Sequence, residues 1–179
     1  QIGALVAQRE KDIELESKDP VVQGGFTQVP NFILKKADLS AGAKVTFIVE
    51  DEEAKPPVAV RKVEKLIRQD KVHMFIGGLL ASTGYALAPV SSRLKTVYVL
   101  SIPAADDLTQ RDLDKFPYIV RTSWTSSQPH HPMGQWACDQ GYKRVITVAA
   151  DYAFGHEVAG GFQRVFEDSG GKVVQKLWP

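Results

Sequence analysis

Met74-Phe75-Ile76-Gly77-Gly78-Leu79-Leu80-Ala81-Ser82-Thr83-Gly84-Tyr85-Ala86-Leu87-Ala88 is the stretch from which the rest of the chain can be read. An apolar run (Val72, Met74, Phe75, Ile76) stops at a glycine pair, two adjacent hydroxyls follow, and an apolar helical pattern begins. The pattern predicts a buried strand, a tight turn, and a helix whose first turn carries Ser82 and Thr83. Such a helix start offers free backbone N–H groups, the positive end of the helix dipole and side-chain hydroxyls, so it can hold a carboxylate or phosphate. Glycines at the bend let a ligand or a neighbouring backbone come close. The same residues also fit a plainer role, with Ser82 or Thr83 capping its own helix.

Outward from this stretch the chain alternates. Val45 to Glu50 is β-branched and aromatic and reads as a strand. Pro57 to Gln69 reads as a helix, with Val60, Val63, Leu66 and Ile67 on one face, Arg61, Lys62, Lys65 and Arg68 on the other, and Glu64 spaced to pair with Arg68. Ser82 to Leu94 is the next helix and Val97 to Ser101 the next strand. Ile102 to Pro117 reads mostly as loop, with a short helical start near Asp106 and Asp107, and Tyr118 to Arg121 is a brief extended piece. A second series follows: helix over Ser127 to Gln140, strand over Arg144 to Ala149, helix over Tyr152 to Asp168 ended by Gly170 and Gly171, and strand over Lys172 to Trp178. Strands separated by helices imply an α/β fold, a parallel sheet with helices on both faces. Ligands of such sheets sit beyond the carboxyl ends of the strands, where Gly77 to Thr83, Ser101 to Asp107 and Ala150 to Gly155 all fall. The first forty residues are less regular: Arg9 to Lys18 reads as a charged helix or loop, and Pro30 interrupts a weak helical pattern over Gly24 to Lys36.

Composition narrows the function classes. The 179 residues carry 22 basic and 21 acidic side chains, with no basic stripe of the kind that binds nucleic acid. No apolar run approaches the ~20 residues that span a bilayer. A signal peptide, if one was made, has been removed or left out. Cys138 is the only cysteine and the four histidines show no paired helical spacing, so neither an internal disulfide nor a metal centre is expected, and no cofactor is. Gly77-Gly78-Leu79-Leu80-Ala81 does not fit the dinucleotide pattern, Ser82 lacks the first glycine of a nucleophile elbow, and no Walker pattern occurs, which argues against an enzyme. Asp106 and Asp107 read as helix caps rather than catalytic acids, Asp151 as a helix cap rather than a ligand contact, His130 and His131 as an exposed loop, and Trp124 as hinge packing or part of a cleft mouth.

Several ordered stretches carry a resemblance: Asp51-Glu52-Glu53-Ala54-Lys55-Pro56, Ile76-Gly77-Gly78-Leu79, Asp107-Leu108-Thr109-Gln110-Arg111, Val120-Arg121-Thr122-Ser123 and Ala150-Asp151-Tyr152-Ala153-Phe154-Gly155. As a set, from about Val45 onward, the chain resembles the type I periplasmic binding proteins of ABC importers, in the leucine/isoleucine/valine-binding branch. Arg121 to Gly134 and Asp151 to Gly155 are most similar to members linked to aromatic-acid uptake. The resemblance implies two α/β lobes, here residues 1–120 and the start of a second over 121–179, with a ligand in the cleft between them. It implies that Ser82 and Thr83, with Ala81 just before, grip the ligand carboxylate. Pro103, Ala104 and Ala105 would add backbone contacts, and Phe154, with Tyr152 beside it, would cover the ligand side chain. A periplasmic or extracellular location and a membrane permease as partner follow on the same terms, without membrane insertion of the chain itself. Two departures stand out. Arg9-Glu10-Lys11-Asp12 replaces the family's small-residue loop after the first strand, so no binding residue carries over there. Members are also roughly twice this long, as two lobes require, so the chain corresponds to an N-terminal half. A ligand-sensing receptor domain on the same fold, and a Rossmann-like enzyme, are the competing expectations.

Overall fold

The computed structural model describes residues 15–16, 46–110 and 114–179. The chain forms two compact units, Gln1–Asp51 and Glu52–Pro179. In the first, β1 (Leu15–Glu16) pairs in parallel with β2 (Phe47–Ile48). Strand β1 thus lies within the charged run expected to be helix or loop; the register of Leu15 with Phe47, rather than local composition, sets its conformation. The interrupted pattern around Pro30 lies outside the described residues.

The second unit carries the alternation. Its elements are α1 (Pro56–Arg68), β3 (Met74–Ile76), α2 (Ala81–Leu94), β4 (Val97–Leu100), α3 (Asp107–Gln110), β5 (Ile119–Arg121), α4 (His130–Asp139), β6 (Arg144–Val148), α5 (Ala153–Asp168) and β7 (Lys172–Leu177). Strands β3, β4 and β5 form one parallel sheet in that order, and β6 and β7 pair in parallel. Parallel neighbours need crossover connections, which α2, α3 and α5 supply.

Alternation within the strands sends Phe75, Tyr98 and Leu100 to one face, where they are buried with Ala59 and Val63 of α1, Leu87, Ala88 and Val90 of α2, and Leu108 of α3. Register Phe75↔Tyr98 stacks the two rings at 4.5 Å between centroids. Met74, at 57 % exposure, Ile76 and Val120 leave the opposite face apolar and open. Val148, at 65 % exposure, and Ile146 do the same in the second sheet.

Glu64 does not pair with Arg68; its carboxylate meets Arg93 of α2 and ties the two helices together. His130 and His131 open α4 rather than lying in a loop, with His130 Nδ1 against the Ser126 carbonyl at 2.8 Å. Asp151 caps nothing: its carboxylate meets His156 Nε2 at 2.9 Å, and the imidazole packs on Trp178 with ring centroids 4.1 Å apart.

Candidate functional site

The start of α2 lacks a local cap. Its N-cap residue, Leu80, has no capping side chain, so the orphan donors of the first turn need a partner from elsewhere. Glu52 provides it. The Leu79 N–H donates to Glu52 Oε1 at 2.9 Å and the Thr83 hydroxyl donates to Oε2 at 3.1 Å. A carboxylate does sit at this helix start, as the positive end of the helix favours, and it belongs to the chain itself. Thr83 is fully buried and its proton is committed. Ala81 is buried in the core beside it. Ser82, one 100° step around the helix, is half-buried, and among the described residues its hydroxyl has no partner. Of the two adjacent hydroxyls, Ser82 is the one turned outward.

Pro103 and Ala105, beyond the end of β4, pack on the first turn of α2, and Ala104 between them is buried. A Cβ on Gly84 would lie 3.0 Å from Pro103 Cβ and 3.5 Å from Ala105 Cβ, so the absence of a side chain lets the loop approach the helix. Gly78 acts similarly at the bend before α2: its φ of +81° suits glycine, and a side chain there would meet Pro103 Cγ at 3.0 Å.

Three successive loop carbonyls are held from the far side. Arg121 Nη1 donates to Pro103 O at 2.9 Å and Nη2 to Ala105 O, while Nη1 also reaches Trp124 O at 3.2 Å and Nε reaches Thr109 Oγ1 at 2.7 Å. Both the N–H and the hydroxyl of Ser126 donate to Ala104 O, at 2.8 and 2.9 Å. A trans peptide sets its N–H opposite its C=O. Clamping the Pro103 and Ala105 oxygens therefore turns the Ala104 and Asp106 N–H groups away from Arg121. The Asp106 N–H donates to Glu157 Oε1 at 3.2 Å; the Ala104 N–H has no partner among the described residues. Burial lowers the Arg121 pKa from its ordinary value, against the pull of Asp106, Tyr85 and Glu157 nearby.

The start of α5 completes the arrangement. Phe154 is half-buried and packs against the core that contains Ala81 and Ala105. Its ring meets Trp124 edge-on at 6.1 Å and stacks with Tyr152 at 6.1 Å. Trp124 therefore joins an aromatic cluster rather than packing alone. Asp106 Oδ1 accepts from the Ser127 N–H at 3.1 Å, stabilising the approach to α4. Tyr85 of α2 donates its hydroxyl proton to Glu157 of α5, and burial, followed by that bond, raises the Tyr85 pKa. Glu52, Tyr85, Arg121 and Glu157 were not expected at the site. The i, i+3 spacing of Tyr85 from Ser82, and of Glu157 from Phe154, is the signal that could have found two of them. Among the described residues no group of three or more His, Cys, Asp or Glu side chains is placed to hold a metal, and no helix is long and apolar enough to cross a membrane.

Paired parallel strands with helical crossovers bring the loops after β3 and β4 beside the start of α5, the arrangement of an α/β protein. The chain belongs to the periplasmic binding protein family, which it matches over residues 34–178. It is similar to Leu/Ile/Val-binding protein homolog 6 of Brucella abortus, with 29 % identity over 125 residues, which cover 70 % of this chain and 31 % of that one. Among solved structures it resembles the solute-binding protein of an ABC transporter from R. palustris in complex with benzoate (27 % identity, TM-score 0.71, covering 77 % of this chain and 38 % of that one). It also resembles another from R. palustris in complex with 4-hydroxybenzoate (28 % identity, TM-score 0.68, covering 78 % and 39 %). The family and these relatives are solute-binding proteins, not enzymes. The chain spans about a third of the length of the curated relative it matches.

Proposed function

We propose that these residues form the ligand-gripping part of the solute-binding component of an ABC importer, working in the periplasm or outside the cell and delivering its ligand to a membrane permease. The ligand is a small carboxylate, an aromatic acid in preference to a branched-chain amino acid, held between lobes divided near residue 120. The observation that carries this reading is the ring cluster of Trp124, Phe154 and Tyr152 at the start of α5. Aromatic walls favour flat apolar ligands through offset and edge contacts. Ser82 is assigned to the ligand carboxylate together with the Ala104 N–H; Pro103 and Ala105 shape the loop. Ala81 and Thr83 support Ser82 from the buried side, Thr83 through Glu52. Phe154, flanked by Tyr152, covers the ligand. The benzoate and 4-hydroxybenzoate held by the two R. palustris proteins agree with the aromatic preference.

Isothermal titration of the natural gene product that carries this chain, against benzoates and branched-chain amino acids, tests the reading. Micromolar or tighter binding of an aromatic acid, weakened about tenfold or more by Ser82→Ala, is expected. No binding of any of them at millimolar ligand would overturn it.

A further inference from the structure

The contact between α2 and α5 contains a carboxylate that is only half satisfied. Glu157 Oε1 accepts from the Tyr85 hydroxyl and from the Asp106 N–H. The Tyr85 hydroxyl in turn accepts from the Asp107 N–H at 3.1 Å, so its single proton is left for Glu157. Glu157 Oε2 is buried and accepts from nothing among the described residues. The nearby Arg121 guanidinium directs its N–H groups to the Pro103, Ala105 and Trp124 carbonyls and to Thr109, none to Glu157. A buried carboxylate oxygen without a donor is costly, and a native fold that keeps one has a reason.

Its position supplies that reason. Residues three apart share a helix face, so Tyr85 lies one turn beyond Ser82 on α2, and Glu157 one turn beyond Phe154 on α5. The Tyr85–Glu157 bond therefore closes the junction one turn below the outward hydroxyl and the aromatic wall. The Asp106 N–H, which also reaches Glu157, is two residues past the free Ala104 N–H on the same loop. Ser82, Phe154 and Ala104 each lie two or three positions from a member of this cluster.

We propose that Glu157 is a specificity-determining residue whose Oε2 accepts a hydrogen bond from a donor on the bound ligand. The ligand class is then a small carboxylate carrying a hydroxyl or ammonium group remote from the atoms held by Ser82. This rests on the reading of the junction as a ligand cleft. A fixed acceptor-only oxygen at the closed end repels the ligand carboxylate and orients it toward Ser82. It also rewards a donor, because a ligand lacking one leaves Oε2 buried and unpaired.

The test uses two matched pairs, each differing by the donor alone: 4-hydroxybenzoate with benzoate, and 4-(aminomethyl)benzoate with 4-methylbenzoate. Affinities are measured by titration calorimetry on the natural gene product that carries this chain. In one pair the donor-bearing member is expected to bind at least about tenfold tighter, and the responding pair tells hydroxyl from ammonium. Glu157→Gln, whose amide must set an N–H against one of the converging donors, is expected to shrink that ratio to about threefold or less. Glu157→Asp, which keeps the charge but withdraws the oxygens, is expected to shrink it too and serves if the Gln variant does not fold. Binding without preference in the wild-type protein, or a preference that persists in the variants, overturns this proposal and leaves the solute-binding reading standing. Failure of all four compounds to bind at millimolar concentration overturns both.

Discussion

Glu52 and Thr83, 31 positions apart, meet at 3.1 Å, and through this contact an acidic side chain from before α1 is tied to the first turn of α2. The Leu79 N–H, just ahead of the helix, donates to the other carboxylate oxygen at 2.9 Å. The pair fixes the segment before α1 against the bend at Gly77 and Gly78. Replacing Glu52 with Ala is expected to lower unfolding free energy by about 2 kcal/mol, from one lost backbone hydrogen bond and one buried hydroxyl left without its acceptor. Glu52→Gln, which keeps one acceptor, should cost about half as much. Urea unfolding followed by circular dichroism measures both; equal stability of all three proteins would show that the tie carries no weight.

The contrast between Ser82 and Thr83 shows what the sequence could and could not convey. Two adjacent hydroxyls at a helix start read alike in a linear string, yet the 100° step between them sends one outward and the other into the core. The alternating elements from α1 to β7 were legible because their signals are local: the valine, leucine and isoleucine face of α1, the β-branched run of β4, and Gly170 after α5, with φ of +91°. The partners of Glu52, Glu64 and Glu157 were not, since each is an acidic residue bound across tens of positions, and local spacing offers nearer partners such as Arg68. Strand β1 was hidden for the same reason: it pairs with Phe47–Ile48, some thirty residues on.

Arg121 holds the loop after β4 through two of its carbonyls, and also reaches the Trp124 carbonyl and the Thr109 hydroxyl, all from one planar guanidinium. Arg121→Ala would take that donor from the carbonyls of the buried residues Pro103 and Ala105. The expected loss is about 3 kcal/mol or more in denaturant unfolding, with ligand affinity falling at least about tenfold because the Ala104 N–H is no longer aimed. Arg121→Lys keeps a charge but not the fork, and should recover less than half of the lost stability. A lysine variant as stable as the parent would show that charge, not geometry, holds the loop.

Tyr98 and Tyr85 should give the protein an alkaline limit. Burial raises the Tyr98 pKa, and burial with the Glu157 bond raises that of Tyr85. In the unfolded chain both titrate near 10, so there the unfolded state releases protons that the folded state retains. The associated stability is fully present below that pH and is lost progressively above it. Thermal midpoints should be flat from about pH 8 to 9.5 on this account, then fall. Absorbance at 295 nm should show that two of the five tyrosines ionise only with unfolding. Tyr98→Phe, which removes the bond from the hydroxyl to the Gly77 carbonyl at 3.1 Å, should cost about 1 kcal/mol at neutral pH and flatten the alkaline decline.

Phe154 is the test of the aromatic wall. Its ring is held by Trp124 edge-on and by Tyr152 in a stack, so its orientation is set before any ligand arrives. Pre-set rings bind flat ligands without a further ordering cost. Phe154→Ala is therefore expected to weaken an aromatic acid by about 1.4–2.7 kcal/mol, tenfold to a hundredfold, and Phe154→Leu by less. A branched aliphatic acid, which needs apolar cover but no ring geometry, should lose little between Phe and Leu. Trp124 supplies an independent readout, because ligand entry beside Phe154 changes the polarity around an indole that is half exposed. Its emission should shift on titration in the parent protein, with every other tryptophan replaced by Phe to isolate it. If Phe154→Leu weakens the aromatic and the aliphatic acid equally, the wall provides apolar cover alone and the preference for aromatic acids falls.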